Sequence, residues 1–92
     1  RLSDYECVRV LSEEGAFSAA AQRLGMTQPG LSILIARLEK QCGVKLVDRA
    51  AKPLKLTSEG VKWIEVEAQI EALRENRRRY FEDLNRLEGG SI

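Results

Sequence analysis

The polar side chains of this sequence that are best suited to bind another molecule lie at the start of one stretch, residues 27–43. Gln28 and Ser32 each offer a donor and an acceptor, and Gly30 between them leaves room for close approach. Ile33 adds an apolar side chain beside them. These side-chain types match the donors, acceptors and methyl groups that line the major groove of DNA. They therefore favour a surface that contacts base pairs.

The same sequence offers no arrangement for catalysis. It contains no His, no CxxC pair and no Gly-rich phosphate loop. No nucleophile is paired with a plausible base either. We therefore predict that the chain is not an enzyme, and we expect neither a metal site nor a cofactor in it.

A helix must position the polar group, and the sequence marks both of its ends. Thr27 is expected to be the N-cap, and Pro29 falls in the first turn, where its missing N–H costs nothing. Gly43 supplies the left-handed residue that ends the helix. Apolar residues at helical spacing predict its buried face, namely Leu31, Ile35 and Leu38.

A shorter helix is predicted just before it, with Ser18 as N-cap and Gly25 at its end. Two helices joined by a short turn that contains Gly make a helix-turn-helix. A further helix is predicted from Ser3 to Gly15, with a capping box at its start. Generic helical hairpins share these features, so the spacing alone leaves DNA binding open.

After Gly43 the apolar period changes from helical to alternating, which predicts a two-stranded hairpin, or wing, over residues 45–56. Arg49 and Lys52 fall in its turn, where they can contact phosphates or an adjacent narrow minor groove. A solvated hairpin tip is the alternative. Charge supports the first interpretation, because residues 16–57 hold seven basic and two acidic side chains, whereas residues 58–92 hold six and eight.

The last helix is predicted over residues 58–88, with Thr57 as its cap and a length of about 46 Å. A domain this small cannot cover such a helix. One stripe repeats at alternating spacings of three and four, with a charged interruption at Arg77. This heptad pattern predicts a dimer interface made of Trp63, Val66, Ile70, Leu73, Arg77, Tyr80, Leu84 and Leu87.

Several motifs together resemble the N-terminal domain of LysR-type transcriptional regulators. They are GAFSAAAQRLGMTQPGLS at 15–32, RLE at 37–39, GVKL at 43–46 and LTSEG at 56–60. The match covers about residues 4–60 without a gap, and the combination is far more specific than any one motif.

The resemblance implies a mostly α winged helix-turn-helix, with three helices and a short two-stranded wing, over residues 1–57. It implies a dimerisation linker helix over 58–88, usually antiparallel, and a hinge at 89–92 that leads to an effector-binding domain outside this sequence. A small-molecule effector would bind that domain. The expected protein is a cytoplasmic bacterial regulator that binds double-stranded DNA as a homodimer. A tetramer and contact with RNA polymerase are further options for the full-length protein.

On this interpretation, helix 28–42 enters the major groove and the wing lies at the adjacent minor groove. The expected DNA contacts are Ser18, Thr27, Gln28, Pro29, Gly30, Ser32, Ile33, Arg37, Arg49 and Lys52.

The sequence departs from the family pattern after QPGLS, where the family usually has basic and polar residues. Ile33, Leu34 and Ala36 stand there instead. This departure keeps open a protein-interaction module, in which the helix-turn-helix binds a partner and the long helix dimerises. Alternatively, Ile33 contacts a thymine methyl group.

Two further features bear on where the chain works. Cys7 and Cys42, in a sequence without a secretory signal, are expected to be reduced and buried; a redox switch is the alternative, which nothing in the sequence supports. No apolar run is long enough to span a membrane, so no membrane partner is expected.

Overall fold

A computed structural model describes residues 2–89 of the chain. The helices are α1 (Asp4–Glu14), α2 (Phe17–Leu24), α3 (Gln28–Cys42) and α4 (Ser58–Gly89), with strands β1 (Val47–Asp48) and β2 (Lys55–Leu56) between the last two. The strands are antiparallel, with Val47 opposite Leu56 and Asp48 opposite Lys55. The predicted fold class, a mostly α winged helix-turn-helix followed by a long helix, is confirmed.

One apolar core joins α1, α2 and α3 to the base of the wing. Its largest fully buried side chains are Leu11, Leu31, Ile35, Leu46, Val8 and Cys7. The buried face predicted for α3 is therefore correct. Residues 2–57, called the head below, share this core, and the start of α4 packs against it through Trp63 and Ile64.

The predicted N-caps of three helices are present. Ser3 Oγ accepts from Glu6 N at 3.1 Å, and Thr27 Oγ1 accepts from Gly30 N at 3.1 Å. Thr57 Oγ1 accepts from Gly60 N at 3.0 Å. These bonds satisfy N–H groups that a helix start otherwise leaves unpaired.

The prediction of Ser18 as the cap of α2 is wrong. The helix begins at Phe17, two residues before the start that a Ser18 cap would give, and Ala16 is its N-cap, with φ −157° and ψ 141° and no side-chain cap bond. Phe17 packs against the core, which draws it into the first helical position. Ser18 therefore lies exposed in the first turn of α2.

The wing has shorter strands than the predicted 45–56 hairpin, at two residues each. Thr57 continues the register of these strands beyond β2, since its N donates to Leu46 O at 3.0 Å, and its Oγ1 donates to Lys45 O at 2.6 Å. The turn between the strands is fastened to the helices as well, because Leu54 N donates to Gly15 O at 2.9 Å.

The two cysteines differ in their surroundings. Cys7 is buried in the core, and burial raises the pKa of its thiol, with Asp4 and Glu6 adding to the effect. Cys42 is exposed, so the prediction that both are buried is wrong for this residue. It is the last residue of α3 and lies beyond the core layer.

Helix α4 leaves the head after its first turns and gives the molecule a long dimension of 57 Å, against 25 and 20 Å for the other two. It extends to Gly89, one residue past the predicted end. Residues 90–92 of the predicted hinge lie outside the described residues. No helix within residues 2–89 has the length and apolar character needed to cross a membrane.

Candidate nucleic-acid interface

Helix α3 presents its first turns at the surface of the head. Gly25 takes φ +69° at the end of α2, and Met26 N donates to Ala21 O at 2.9 Å, so that α3 starts after a tight turn. Gln28 and Pro29 are exposed, and Ser32 is half-buried. The start of α3 is thus open to a ligand, as the sequence predicted.

The first turn of α3 depends on a glycine. A Cβ on Gly30 would lie 2.9 Å from Thr27 Oγ1, the atom that accepts from Gly30 N. The absence of a side chain at Gly30 therefore allows Thr27 Oγ1 to approach Gly30 N closely enough to form the cap hydrogen bond. Thr27 is exposed, but its hydroxyl is already engaged in this cap.

Four of the predicted contact residues meet around one hollow of about 330 Å³ between the starts of α2 and α3 and the turn of the wing. It is lined in part by Ser18, Gln28, Arg49 and Lys52. Phe17 forms part of its wall. The fold thus brings together residues that the sequence separates by more than thirty positions.

Arg49 holds the base of the wing against the head. Its Nη2 donates to Glu39 Oε1 at 3.3 Å, and its Cζ lies 4.9 Å from the centre of the Phe17 ring. A guanidinium over an aromatic face gains a cation–π attraction. The Arg49 side chain positions the wing in this way and is still 41% exposed. Its contact with phosphate stays a prediction.

Glu39 is a residue that the sequence analysis missed. It is buried on α3 and accepts from Leu46 N at 2.8 Å and Val47 N at 3.3 Å. Burial alone would raise the pKa of its carboxyl, but these two bonds and the Arg49 guanidinium outweigh burial and lower that pKa. The sequence did contain a signal for this buried carboxylate, because Glu39 follows Ile35 by four positions and so falls on the buried face of α3.

Arg37 lies apart from the hollow. Its Nη2 is 3.3 Å from Asp4 Oδ1, at the start of α1. The structure therefore does not bring Arg37 together with the predicted DNA contacts that line the hollow. The Arg37 guanidinium already has an exposed ion-pair partner, Asp4.

Ion pairs remove much of the positive charge that the sequence places near α3. Arg23 binds Glu13 and Glu14, and Arg49 and Lys45 lie within 4 Å of Glu39. Among the described residues, no ion pair involves Lys40, Lys52 or Lys55. Lys40 was missed by the sequence analysis, although it lies seven positions after Ile33 and so on the same face of α3.

The predicted dimer stripe on α4 divides into two parts. Trp63 is half-buried and packs against the core of its own head, which makes it a scaffold residue as well. Further along, Leu73 is 68% and Leu87 77% exposed. Phe81, which the sequence analysis left out, is also exposed and makes an edge-on contact with Tyr80, with ring centres 5.2 Å apart.

The family model of bacterial regulatory helix-turn-helix proteins, lysR family, matches residues 2–61. The chain belongs to the lysR family. The matched residues cover the head, including the wing, and the first four residues of α4. Membership in the family also confirms the resemblance stated from the sequence motifs, and it points to a regulatory role rather than a catalytic one.

Relatives of known name agree with this assignment. A probable RuBisCO transcriptional regulator of Cyanidioschyzon merolae is 40% identical over 79 residues, which are 86% of this chain and 26% of that protein. This lysR-family chain therefore spans about a quarter of the length of the relative.

Solved structures extend the likeness to complexes with DNA. DarR of Vibrio fischeri, solved with DNA, has a TM-score of 0.84 and 31% identity, over 95% of this chain and 30% of that one. The DNA-binding domain of CbnR, also solved with DNA, has a TM-score of 0.81 and 26% identity, over 90% of this chain and 95% of that one.

Proposed function

We propose that this chain is the DNA-binding part of a bacterial LysR-type transcription regulator that binds specific duplex DNA as a dimer. The observation that carries the proposal is the open start of α3 beside a wing in which Lys52 and Lys55 take part in no ion pair within residues 2–89. Family membership and the likeness to DarR and CbnR, both solved with DNA, support it.

In this proposal, α3 is the recognition helix, which enters the major groove and contacts base edges with its first turns. Gln28 and Ser32 are the hydrogen-bonding side chains there. Backbone and small side chains at the helix start would contact phosphates, since the N-terminus of a helix favours anions. That group consists of Ser18, Thr27 and Gly30, whereas Pro29, which has no N–H, would contact the groove through its apolar ring.

The wing supplies the second contact. Lys52 lines the same hollow as Gln28, so the two residues can lie on one duplex at once. A lysine at a wing turn is placed to contact phosphate or a narrow minor groove. Arg49 has part of its side chain exposed for the same purpose, and Arg37 would contact the duplex only by leaving Asp4.

We assign dimerisation to α4, with residues 1–57 as the DNA-binding domain, 58–88 as the linker and 89–92 as the start of a hinge. The exposed stripe beyond the head supports this division, because apolar residues in a heptad pattern gain by packing on a second helix. The remaining three quarters of such a regulator would carry the effector-binding domain, and the whole would act in the cytoplasm.

A second candidate is a protein-interaction module, which the 70% exposure of Ile33 on α3 favours. A salt titration separates the two candidates. Neutralising phosphates releases counterions, so DNA affinity must fall steeply with salt. Binding of a protein partner through an apolar residue need not follow that dependence.

The deciding experiment is selection of duplexes from a random pool, with the wild-type chain and Gln28→Ala in parallel. The wild type should enrich one motif, and its affinity should fall steeply with salt. Gln28→Ala should bind this motif about 10-fold to 100-fold more weakly and lose preference at one position. Failure of the wild type to enrich any sequence would refute the proposal.

A further inference from the structure

The centre of the exposed face of α3 is apolar. Ile33 is 70% exposed there, and Pro29 and Ala36, one turn before and one turn after it, are also exposed. These three residues, the apolar patch, follow one another at helical spacings of four and three. The side chain at the centre of the predicted groove-facing surface therefore has no hydrogen-bonding atom.

Charged and polar groups border the patch without entering it. Arg37 lies one turn after Ile33, but its guanidinium is paired with Asp4. Lys40 lies on the same face nearer the end of α3, and Gln28 lies at the start of the helix. Lys40 takes part in no ion pair within residues 2–89, and its positive charge beside the patch favours a polyanionic partner such as DNA over an apolar protein surface.

The major groove offers an apolar side chain one complementary group, the C5-methyl of thymine. An isoleucine that displaces water from guanine, cytosine or adenine edges cannot replace the hydrogen bonds that the water made. Ile33 therefore favours thymine for two reasons. Contact with thymine buries the methyl group, and contact with the other bases leaves their polar edges without hydrogen bonds.

We propose that Ile33 determines specificity by contacting a thymine methyl group in the major groove of each half-site. The inference rests on the proposed function, because it requires α3 to enter that groove. It replaces the arginine or lysine contact to guanine that a basic residue would make at this position. The selected site should accordingly contain a T·A pair at the position that Ile33 faces.

Substitution of deoxyuridine for thymine tests this directly, since the two bases differ only by the C5-methyl group. In the duplex selected by the 92-residue chain, each thymine is replaced in turn and the Kd is measured. Replacing the contacted thymine in one half-site should weaken binding about fourfold, the effect of burying one methyl group. Replacing it in both half-sites should weaken binding about sixteenfold.

Two variants assign the effect to Ile33. Ile33→Ala should bind the thymine and deoxyuridine duplexes equally well, and its fold should be retained because the side chain is exposed. Val61→Ala shortens an exposed β-branched residue of α4, outside the recognition helix, and should keep the fourfold preference for thymine.

The outcomes distinguish the inference from the proposed function. If every deoxyuridine duplex binds as well as its parent, or if Ile33→Ala keeps the preference, the inference is wrong and DNA binding stands. If the wild type retains no duplex from the random pool, the proposed function fails and the inference fails with it.

Discussion

The buried carboxylate of Glu39 accepts a hydrogen bond from the backbone N–H of Leu46 at 2.8 Å. Glu39 belongs to α3 and Leu46 to the segment that enters the wing, so one side chain fixes the wing relative to the recognition helix. Val47 N and the Arg49 guanidinium bind the same carboxylate. The relative position of the two proposed DNA contacts, α3 and the wing, is therefore already fixed in the head without DNA.

Removal of this carboxylate should destabilise the head. Glu39→Ala leaves the N–H groups of Leu46 and Val47 without their acceptor inside the protein, and we expect the free energy of unfolding to fall by about 2–3 kcal/mol. Urea unfolding monitored by circular dichroism measures this. Glu39→Gln keeps one carbonyl acceptor and should lose less, about 1 kcal/mol. Equal stability of Glu39→Ala and wild type would show that the bonds contribute nothing net.

The lowered pKa of Glu39 predicts the pH dependence of the difference between wild type and Glu39→Gln. A carboxyl whose pKa is lower in the folded state contributes its full stability above its unfolded pKa, about 4.3, and loses it as pH falls through the folded pKa. The stability difference should be constant from about pH 6 to 8 and shrink below about pH 4. Glu13 and Glu75 also have lowered pKa values, but they titrate in both proteins and cancel. A difference that grows on acidification would contradict the assignment.

Gly60 should resist substitution more than its helical position suggests. A Cβ there would lie 2.0 Å from the carbonyl oxygen of Leu46, which is backbone and cannot rotate away. Gly60→Ala should therefore destabilise the chain by about 3 kcal/mol, despite the higher helix propensity of Ala. Gly25→Ala is the comparison, because its φ is +69° and open space surrounds its Cβ. It should cost about 1 kcal/mol through backbone strain alone. The ordering fails if Gly60→Ala proves the milder of the two in thermal unfolding.

The wing lysine should contribute to DNA affinity without regard to sequence. Lys52→Ala should reduce the slope of log K against log salt by about 0.9 for each phosphate that the lysine neutralises, or about 1.8 for a dimer. Lys62→Ala removes the same charge from α4, outside both the recognition helix and the wing, and should leave the slope unchanged. Fluorescence anisotropy over a salt series measures both. Matching slopes for Lys52→Ala and the wild type would place Lys52 away from phosphate.

The exposed stripe of α4 should hold the dimer together. Leu73→Glu places a charge in an apolar interface, where desolvation is costly, and should shift the chain towards monomer. Ala72→Glu adds the same charge to an exposed neighbour outside the stripe and should remain dimeric. Light scattering gives the masses. Binding to a duplex with two half-sites should weaken far more than binding to one half-site, since a monomer cannot engage both half-sites through one linked molecule. A monomeric wild type at micromolar concentration would refute this interface.

The helices were predictable because their signals are local. The caps at Thr27 and Thr57 and the left-handed glycine at Gly43 fix helix ends through bonds within a few residues. Ser18 was placed wrongly as a cap because the tertiary packing of Phe17 outweighed a local preference. The extent of the strands was overestimated because α4 begins at Ser58, the residue that a longer hairpin would place opposite Lys45, and Thr57 Oγ1 donates to Lys45 O in its stead.

The candidate site was only partly predictable. Side-chain type and spacing identified Gln28 and Lys52, and the fold brings them to one hollow. Ion pairs join residues that are far apart in the sequence, so the pairing of Arg37 with Asp4 could not be derived from either local segment. Lys40 and Glu39 were missed because the effect of a charge depends on which partners the fold supplies.

The contacts of Gly60, Trp63 and Ile64 hold the start of α4 against the head, so the rest of the helix forms an arm. At 1.5 Å per residue, residues 65–89 give this arm a length of about 37 Å. A tilt of about 10° at its base would move the far end by about 6.5 Å, more than one turn of helix. Conversely, a domain attached beyond that end would need a large displacement to turn the head slightly. A large movement at the far end of α4 would therefore produce only a small change in the positions of α3 and the wing on DNA.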